Sequence, residues 1–399
     1  MRMKHNIGLL SLSIAVIILI GGGLRAPITA VSPVLTEIIA ALQLNNIEGS
    51  LLTSIPLIVF ASCSVLVSKI AVRFNIHYSL IFSLILLLAG LYVRVYGNMA
   101  TLFIGSFLIG LGICIGNVTT PAYIKTFFPD RIGVMTGIFS VGMNFIAALA
   151  SGLSIGIGEW SEMGWRGSLG IWMFWVLLAL LAVVIEAFLG SKNKTEKVHV
   201  VRESPQNFNV FRSRQAWYIS IFMGIQSLVY YCLVALLPVV LIDYGMAKEQ
   251  TGIVLLIIQL AMLPVLFISP IIATRLKDQK WMIYGVGVLM FGGITMLMLL
   301  KSQFVYTAAV MIGISSGLAF SLSILFFSLK SKTMEGTIKI SGKAQSVGYL
   351  IAAFGPPIFG LLHDWDVSWQ SSFYFLLLMI IIMVFFGREA AKPRFIEEH

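Results

Sequence analysis

Residues 191–214 read SKNKTEKVHVVRESPQNFNVFRSR, the one long polar stretch in a chain of 399 residues that is 58% hydrophobic and 11% charged. Its place decides the fold. Six apolar runs precede it, near 7–42, 50–72, 77–96, 99–124, 132–158 and 168–190. Six follow, near 215–242, 250–274, 281–300, 303–329, 341–363 and 370–387. A helix crosses a bilayer in roughly 20 apolar residues, which most of these runs supply. They lack the alternation of barrel strands, and the mean hydropathy is +0.96. The expected fold is all-α and transmembrane, with twelve helices in two pseudo-symmetric six-helix bundles. An N-terminal bundle covers 1–190, a cytoplasmic basic linker 191–214 and a C-terminal bundle 215–399.

The 27 Lys and Arg residues outnumber 17 Asp and Glu. When joints are assigned to alternate sides of the membrane, 22 of the basic residues share the side of the N-terminus. Four (Arg94, Arg166, Lys248 and Lys301) fall on the other. That bias predicts a multi-pass protein of a bacterial inner membrane with both termini in the cytoplasm. Anionic lipid headgroups account for the basic linker, so no nucleic acid is implied. The run after MRMKHN is too long for the core of a signal peptide and reads as the first span. One basic residue belongs to neither side, and it is Arg25.

The halves resemble each other. IAVRF (70–74) answers IATRL (272–276) at an offset of 202, and SVGMNFIAALASG from Ser140 answers SVGYLIAAFGPPIFG from Ser346 at an offset of 206. Short matches of this kind at nearly one offset support a parallel duplication, the layout of alternating-access carriers.

Arg25 sits in GGGLRAPITAVSP (21–33), midway along the first run. A guanidinium does not give up its proton, and placing it at a helix centre costs at least about 2.5–3.5 kcal/mol. Two readings stand. Arg25 faces a wet central cavity and meets an anionic or strongly polar substrate, or it pairs with an internal group and fixes packing. Glu37 lies twelve residues on, about 18 Å along a continuous helix, and the predicted helix centres contain no Asp or Glu. Glu186 falls close to the end of the sixth run. Gly23, Pro27 and Pro33 are candidate gating or hinge positions, as are Pro356 and Pro357 in the eleventh run; Pro27 frees the Gly23 carbonyl as an acceptor.

Amides inside other runs are the further candidates for substrate binding, because each both donates and accepts. They are Asn117 beside Thr119 and Thr120, Asn144, Gln226, Gln259 and Gln345. Tyr230 lies one helical turn from Gln226, and Tyr349 and Tyr123 offer a ring or a hydroxyl. Each could equally serve as a helix-to-helix contact. Cys63, Cys114 and Cys232 form no disulfide framework and no metal pattern. No HExxH, no paired membrane carboxylates and no Ser/His/acid cluster points to an enzyme. GSFLIGLGICIG (105–116) lacks the GK[ST] of a phosphate loop. No cofactor or metal is expected; a monomer is expected, with lipid, a small-molecule substrate and either a coupling proton or an exchanged solute as its partners. His77, His363 and Glu37 lie near span ends and leave that last choice open.

LRAPITAVSPVL (24–35) resembles the first-span signature of the cyanate and nitroimidazole transporter family of the major facilitator superfamily. FFPDRIGVMTGIFSVGMNFIAALASGLS, GWRGSLGIW and KAQSVGYLIAAFGPPIFGLLHDW are similar to its fifth-, sixth- and eleventh-span blocks, and GIQSLVYYCLVALLPVVL to its seventh. The resemblance implies the twelve-helix facilitator fold and transport of small anions such as cyanate, or of small nitro-heteroaromatics. It aligns Arg25 with the family arginine and Gln345, Gly348 and Tyr349 with the eleventh-span pattern. Where Arg-Pro is common, this chain has Arg25-Ala26-Pro27, and Asn75 stands where glycine is usual. The expected function is secondary-active or facilitative transport; efflux of drug-like heteroaromatics and a non-transporting membrane sensor are the alternatives.

Overall fold

The computed structural model describes residues 7–44, 46–192 and 208–398, so the predicted linker between 193 and 207 lies outside the described residues. The rest is all-α. In chain order the helices are α1 (Ile7–Gly23), α2 (Ala26–Thr29), α3 (Leu35–Leu42), α4 (Asn46–Ala71), α5 (Ile76–Val95), α6 (Met99–Phe127), α7 (Ile132–Trp160), α8 (Trp165–Gly170) and α9 (Trp172–Lys192). They continue with α10 (Arg214–Asp243), α11 (Lys248–Arg275), α12 (Lys280–Leu300), α13 (Val305–Leu329), α14 (Met334–Trp365) and α15 (Gln370–Ala391). Among the described residues, twelve spans are long and apolar enough to cross a membrane.

Boundaries follow local chemistry. Asn75, Ser213 and Thr333 have extended backbone and accept hydrogen bonds from the first-turn amides of α5, α10 and α14, which satisfies donors that a helix start leaves orphaned. The first predicted span is not one helix. It divides into α1, α2, a 3-10 turn at Ser32–Val34 and α3.

The chain forms two compact units, Met1–Tyr123 with Ile138–Asn209, and Ile124–Gly137 with Val210–His399. In the first, α5 and α6 cross so closely that a Cβ on Gly90 would lie 2.8 Å from the Ile109 amide nitrogen. Ser83 Oγ adds a 2.7 Å bond to the Gly112 carbonyl across the same crossing. Trp175 Nε1 donates to the Leu19 carbonyl at 3.0 Å, fixing α9 on α1. In the second unit, Gln215 Nε2 binds the Ala390 carbonyl at 2.8 Å and ties α10 to α15. Ser315 Oγ binds the Val286 carbonyl at 2.7 Å and ties α13 to α12. Small side chains at the crossings let backbones approach, and hydroxyls bond across them where no apolar driving force exists between helices in lipid.

Candidate functional site

Arg25 lies in the break of the first span. Its backbone, at φ −121° and ψ −44°, stands at the N-cap of α2, and its carbonyl accepts from the amides of Ile28 and Thr29. Pro27 falls in the first turn of α2, where its missing donor is one the helix would leave unused. Pro33 likewise lies inside the 3-10 turn. Both prolines start new turns rather than kink an existing helix. The preceding glycines have separate tasks. A Cβ on Gly21 would lie 3.1 Å from the Phe139 carbonyl, and one on Gly22 would lie 2.8 Å from the Trp175 indole nitrogen. One on Gly23 would meet only Val176, at 3.6 Å, and Trp175, at 3.9 Å.

The three predicted polar residues of the first unit each follow by one position a residue in the contacts that Gly21 and Leu24, at and just after the end of α1, make with α6 and α7. Leu24 lies against Gly116 of α6, and Gly21 against Phe139 and Met143 of α7. Arg25, Asn117 and Asn144 come next along these helices. Arg25 and Asn117 are half-buried and Asn144 is buried, with Asn144 Nδ2 donating to the Ser140 carbonyl at 2.8 Å. Thr119 and Thr120 donate to carbonyls of their own helix.

Glu37, which a continuous helix would place about 18 Å from Arg25, is engaged elsewhere. Its Oε1 accepts the Trp165 amide at 2.9 Å, at the start of α8.

The second unit gathers the remaining set. A Cβ on Gly348 of α14 would lie 3.4 Å from the Gly224 nitrogen of α10. Within two turns of that crossing stand Gln226 and Tyr230 on one helix, and within one turn Gln345 and Tyr349 on the other. Gln226 is 4% exposed and Gln345 2%. Gln226 Nε2 donates to Ser227 Oγ at 2.7 Å and Gln345 Nε2 to Ser341 Oγ at 3.0 Å, while Gln345 Oε1 is buried without a hydrogen-bond partner. Gln259 of α11 donates to Tyr230 Oη at 3.3 Å. Helix α14 runs through Pro356 and Pro357 without interruption.

Several residues lie elsewhere than their sequence position indicates. Arg94, expected in a joint, is 3% exposed within α5, and its Nε and Nη2 have no hydrogen-bond partner. Lys343, expected in a cytoplasmic joint, is fully buried in α14. Glu186 is buried, and Tyr123 Oη and Ser13 Oγ both donate to its Oε1. Hydropathy alone does not reveal that cluster, because Ser13, Tyr123 and Glu186 come from three different runs. His363 stacks on Trp369 with ring centres 3.6 Å apart. Cys114 and Cys232 are buried and Cys63 is half-buried, all as free thiols. Among the described residues no group of three His, Cys, Asp or Glu side chains could hold a metal ion.

A family model described as Major Facilitator Superfamily matches residues 14–352. The chain is 34% identical over 382 residues to an uncharacterized transporter, YycB, of Bacillus subtilis, covering 95% of this chain and 93% of that one. It is 32% identical to the 2-nitroimidazole transporter of Escherichia coli, covering 96% and 95%. It is 26% identical to the cyanate transport protein of the same organism, covering 88% and 89%. Among solved structures, the proton:xylose symporter XylE bound to 6-bromo-6-deoxy-D-glucose superposes with a TM-score of 0.77 at 13% identity, covering 98% of each chain.

Proposed function

The chain belongs to the major facilitator superfamily, and we propose that it is a secondary or facilitative carrier of a small anionic or polar solute across a bacterial plasma membrane by alternating access. The solute class is that of cyanate or a small nitro-heteroaromatic. One observation carries the proposal: a permanent cation, Arg25, is half-buried in the middle of a membrane span, at a break of its helix. Such a charge is costly in a span and marks a pathway by default. The names of the relatives that transport 2-nitroimidazole and cyanate agree with an anionic or nitro group as its counterpart.

In this reading Arg25 binds the negative end of the solute, with Asn117 and Asn144 beside it along the neighbouring helices. Gln226, Tyr230, Gln345 and Tyr349 form the polar set of the second unit. Gly23, Pro27 and Pro33 permit movement around Arg25, and Pro356 and Pro357 permit movement in α14. The basic side faces the cytoplasm, with both termini on it, and the two halves are a duplicated six-helix unit.

The test is flux of labelled cyanate and of 2-nitroimidazole in proteoliposomes. Arg25→Gln should lower the flux of the accepted probe by about tenfold or more, the worth of one hydrogen bond to a charged group. Arg25→Lys should lie between the two, since it keeps the charge and loses the planar fork. Wild-type flux of that probe through Arg25→Gln, at normal membrane insertion, overturns the role of Arg25.

A further inference from the structure

A second charged centre lies in the first unit. The start of α5, the early turns of α1 and the last turns of α6 and α9 share one end of this unit, the end from which the linker leaves. There Glu186 of α9 is held on one oxygen only. Its Oε1 accepts from Tyr123 Oη at 2.6 Å and from Ser13 Oγ. Its Oε2 is buried with no hydrogen-bond partner, and His77 Nε2 lies 3.8 Å from it. The imidazole meets the Tyr123 ring edge-on at 5.9 Å. His77 is 19% exposed and Glu186 9%, so the imidazole reaches water and the carboxylate does not.

A carboxylate serving only as a packing bond would have its acceptor sites filled, because a buried ionised oxygen without a donor is expensive. Here one oxygen is satisfied twice and the other not at all. The idle oxygen faces the only side chain whose ordinary titration falls near neutral pH. The other charged groups of the packed elements point elsewhere. Lys69 and Arg73 of α4 and Asp130 and Arg131 before α7 are exposed, and Lys125 of α6 donates to the carbonyls of Ser328 and Ser331.

We propose that Glu186 and His77 form a proton-binding site, loaded from the side of the linker, that couples proton movement to transport. A proton reaches the exposed imidazole from water, and the imidazolium passes its Nε2 proton to Glu186 Oε2 as the two side chains close by about 1 Å, which returns His77 to its neutral form. The net change is one hydronium and one carboxylate giving one carboxylic acid and one water. Neutral Glu186 holds Tyr123 and Ser13 less strongly, because its bonds to them are no longer charge-assisted. That loosens α6 and α1 from α9, and α1 runs unbroken from Ile7 to Gly23, the residue at which the break before Arg25 begins. The coupling role rests on the carrier reading; the proton site does not.

The experiment has two arms on the full-length protein in lipid. Infrared difference spectra between about pH 5 and about pH 8 should show the carbonyl band of one buried carboxylic acid. The band should be absent in Glu186→Gln and shifted in Tyr123→Phe, which removes a donor to the same carboxyl group. A band unchanged in Glu186→Gln, or no band in the wild type, overturns the site. In the second arm the probes are labelled cyanate and 2-nitroimidazole, and the readout is the ratio of initial uptake rates at the two pH values. That ratio should depart from unity at least about threefold in the wild type and fall to about one in Glu186→Gln, as expected when one titrating group sets the dependence. A ratio unaltered by the substitution overturns the coupling while the spectral arm still stands. Absence of flux for both probes in the wild type counts against the substrate reading instead, leaving the proton site supported by the spectra.

Discussion

Glu37 Oε1 accepts the backbone amide of Trp165 at 2.9 Å, so the first acidic residue of the chain caps α8 across a separation of 128 residues. Gly164, just before that amide, has φ +54°, and a Cβ there would collide with the same carboxylate oxygen. Glu37→Ala should therefore cost about 1–2 kcal/mol, the usual worth of a cap. Gly164→Ala should cost more, because it adds backbone strain to the collision. Thermal melts of the purified variants in detergent check the order. A Gly164→Ala protein as stable as wild type would show that the turn is not held in this form.

Two neighbouring glycines separate packing from movement. Gly22 gives its space to Trp175, whereas Gly23 has ordinary room for a methyl group. Gly22→Ala should destabilise by about 1–3 kcal/mol through overpacking. Gly23→Ala should fold normally, so any loss of flux in that variant reports on hinge motion at the break. Gly23→Ala with wild-type stability and wild-type flux would remove Gly23 from the gating positions.

These residues also show what a linear reading resolves. The spans are legible because hydropathy is a local property, and the glycines and prolines near Arg25 mark a place where the chain can bend, but not the division of the first span into separate helices. Which face of a helix a residue occupies is not local. Lys343 and Arg94 count as joint residues by position, yet both are buried in helices. Glu186 passes as a terminal acid until α1, α5 and α6 bring Ser13, His77 and Tyr123 to it. The amides of the second unit are visible as polar residues in apolar runs, but the Gly224–Gly348 crossing that sets α10 against α14 depends on the fold.

The C-terminal segment closes on the joint between α13 and α14. Glu397 accepts from Ser331 Oγ at 2.8 Å and from the Lys332 amide at 3.1 Å, and buried Ile396 donates its amide to the Lys330 carbonyl at 2.9 Å. Lys332 Nζ stands 2.8 Å from Glu398 Oε1. That ammonium, followed by the Phe395 amide, holds the Glu398 carboxyl below its ordinary value. A depressed carboxylate adds to docking above its free value of about 4.3 and loses that contribution as pH falls through the lowered one. A spin label at exposed position 394, introduced as Arg394→Cys, should be constrained at neutral pH and gain mobility only in strong acid. Glu398→Gln should lose part of that response, and added salt should weaken the exposed pair. Mobility identical in Glu398→Gln at every pH would assign the docking to Glu397 and Ile396 alone.

Lys343 poses the last problem, an ammonium in the interior of the second unit. Its Nζ donates to the Val210 carbonyl at 3.1 Å and lies 3.9 Å from the centre of the Trp217 ring and 5.2 Å from that of Phe211. Trp217 is itself anchored, donating to the Phe211 carbonyl at 2.9 Å. One carbonyl and two ring faces are few partners for a desolvated charge, so the rings should carry much of its stabilisation, about 2 kcal/mol for a buried cation–π contact. Trp217→Leu alone should then be strongly destabilising, since it leaves the ammonium poorly compensated as well as removing apolar area. Lys343→Met alone should cost less, because no buried charge remains. In the double variant the penalties should not add, and a thermodynamic cycle should return a coupling of at least about 1 kcal/mol. Additive costs would mean that Lys343 is held by its backbone acceptor and that Trp217 is only a packing residue at the start of α10.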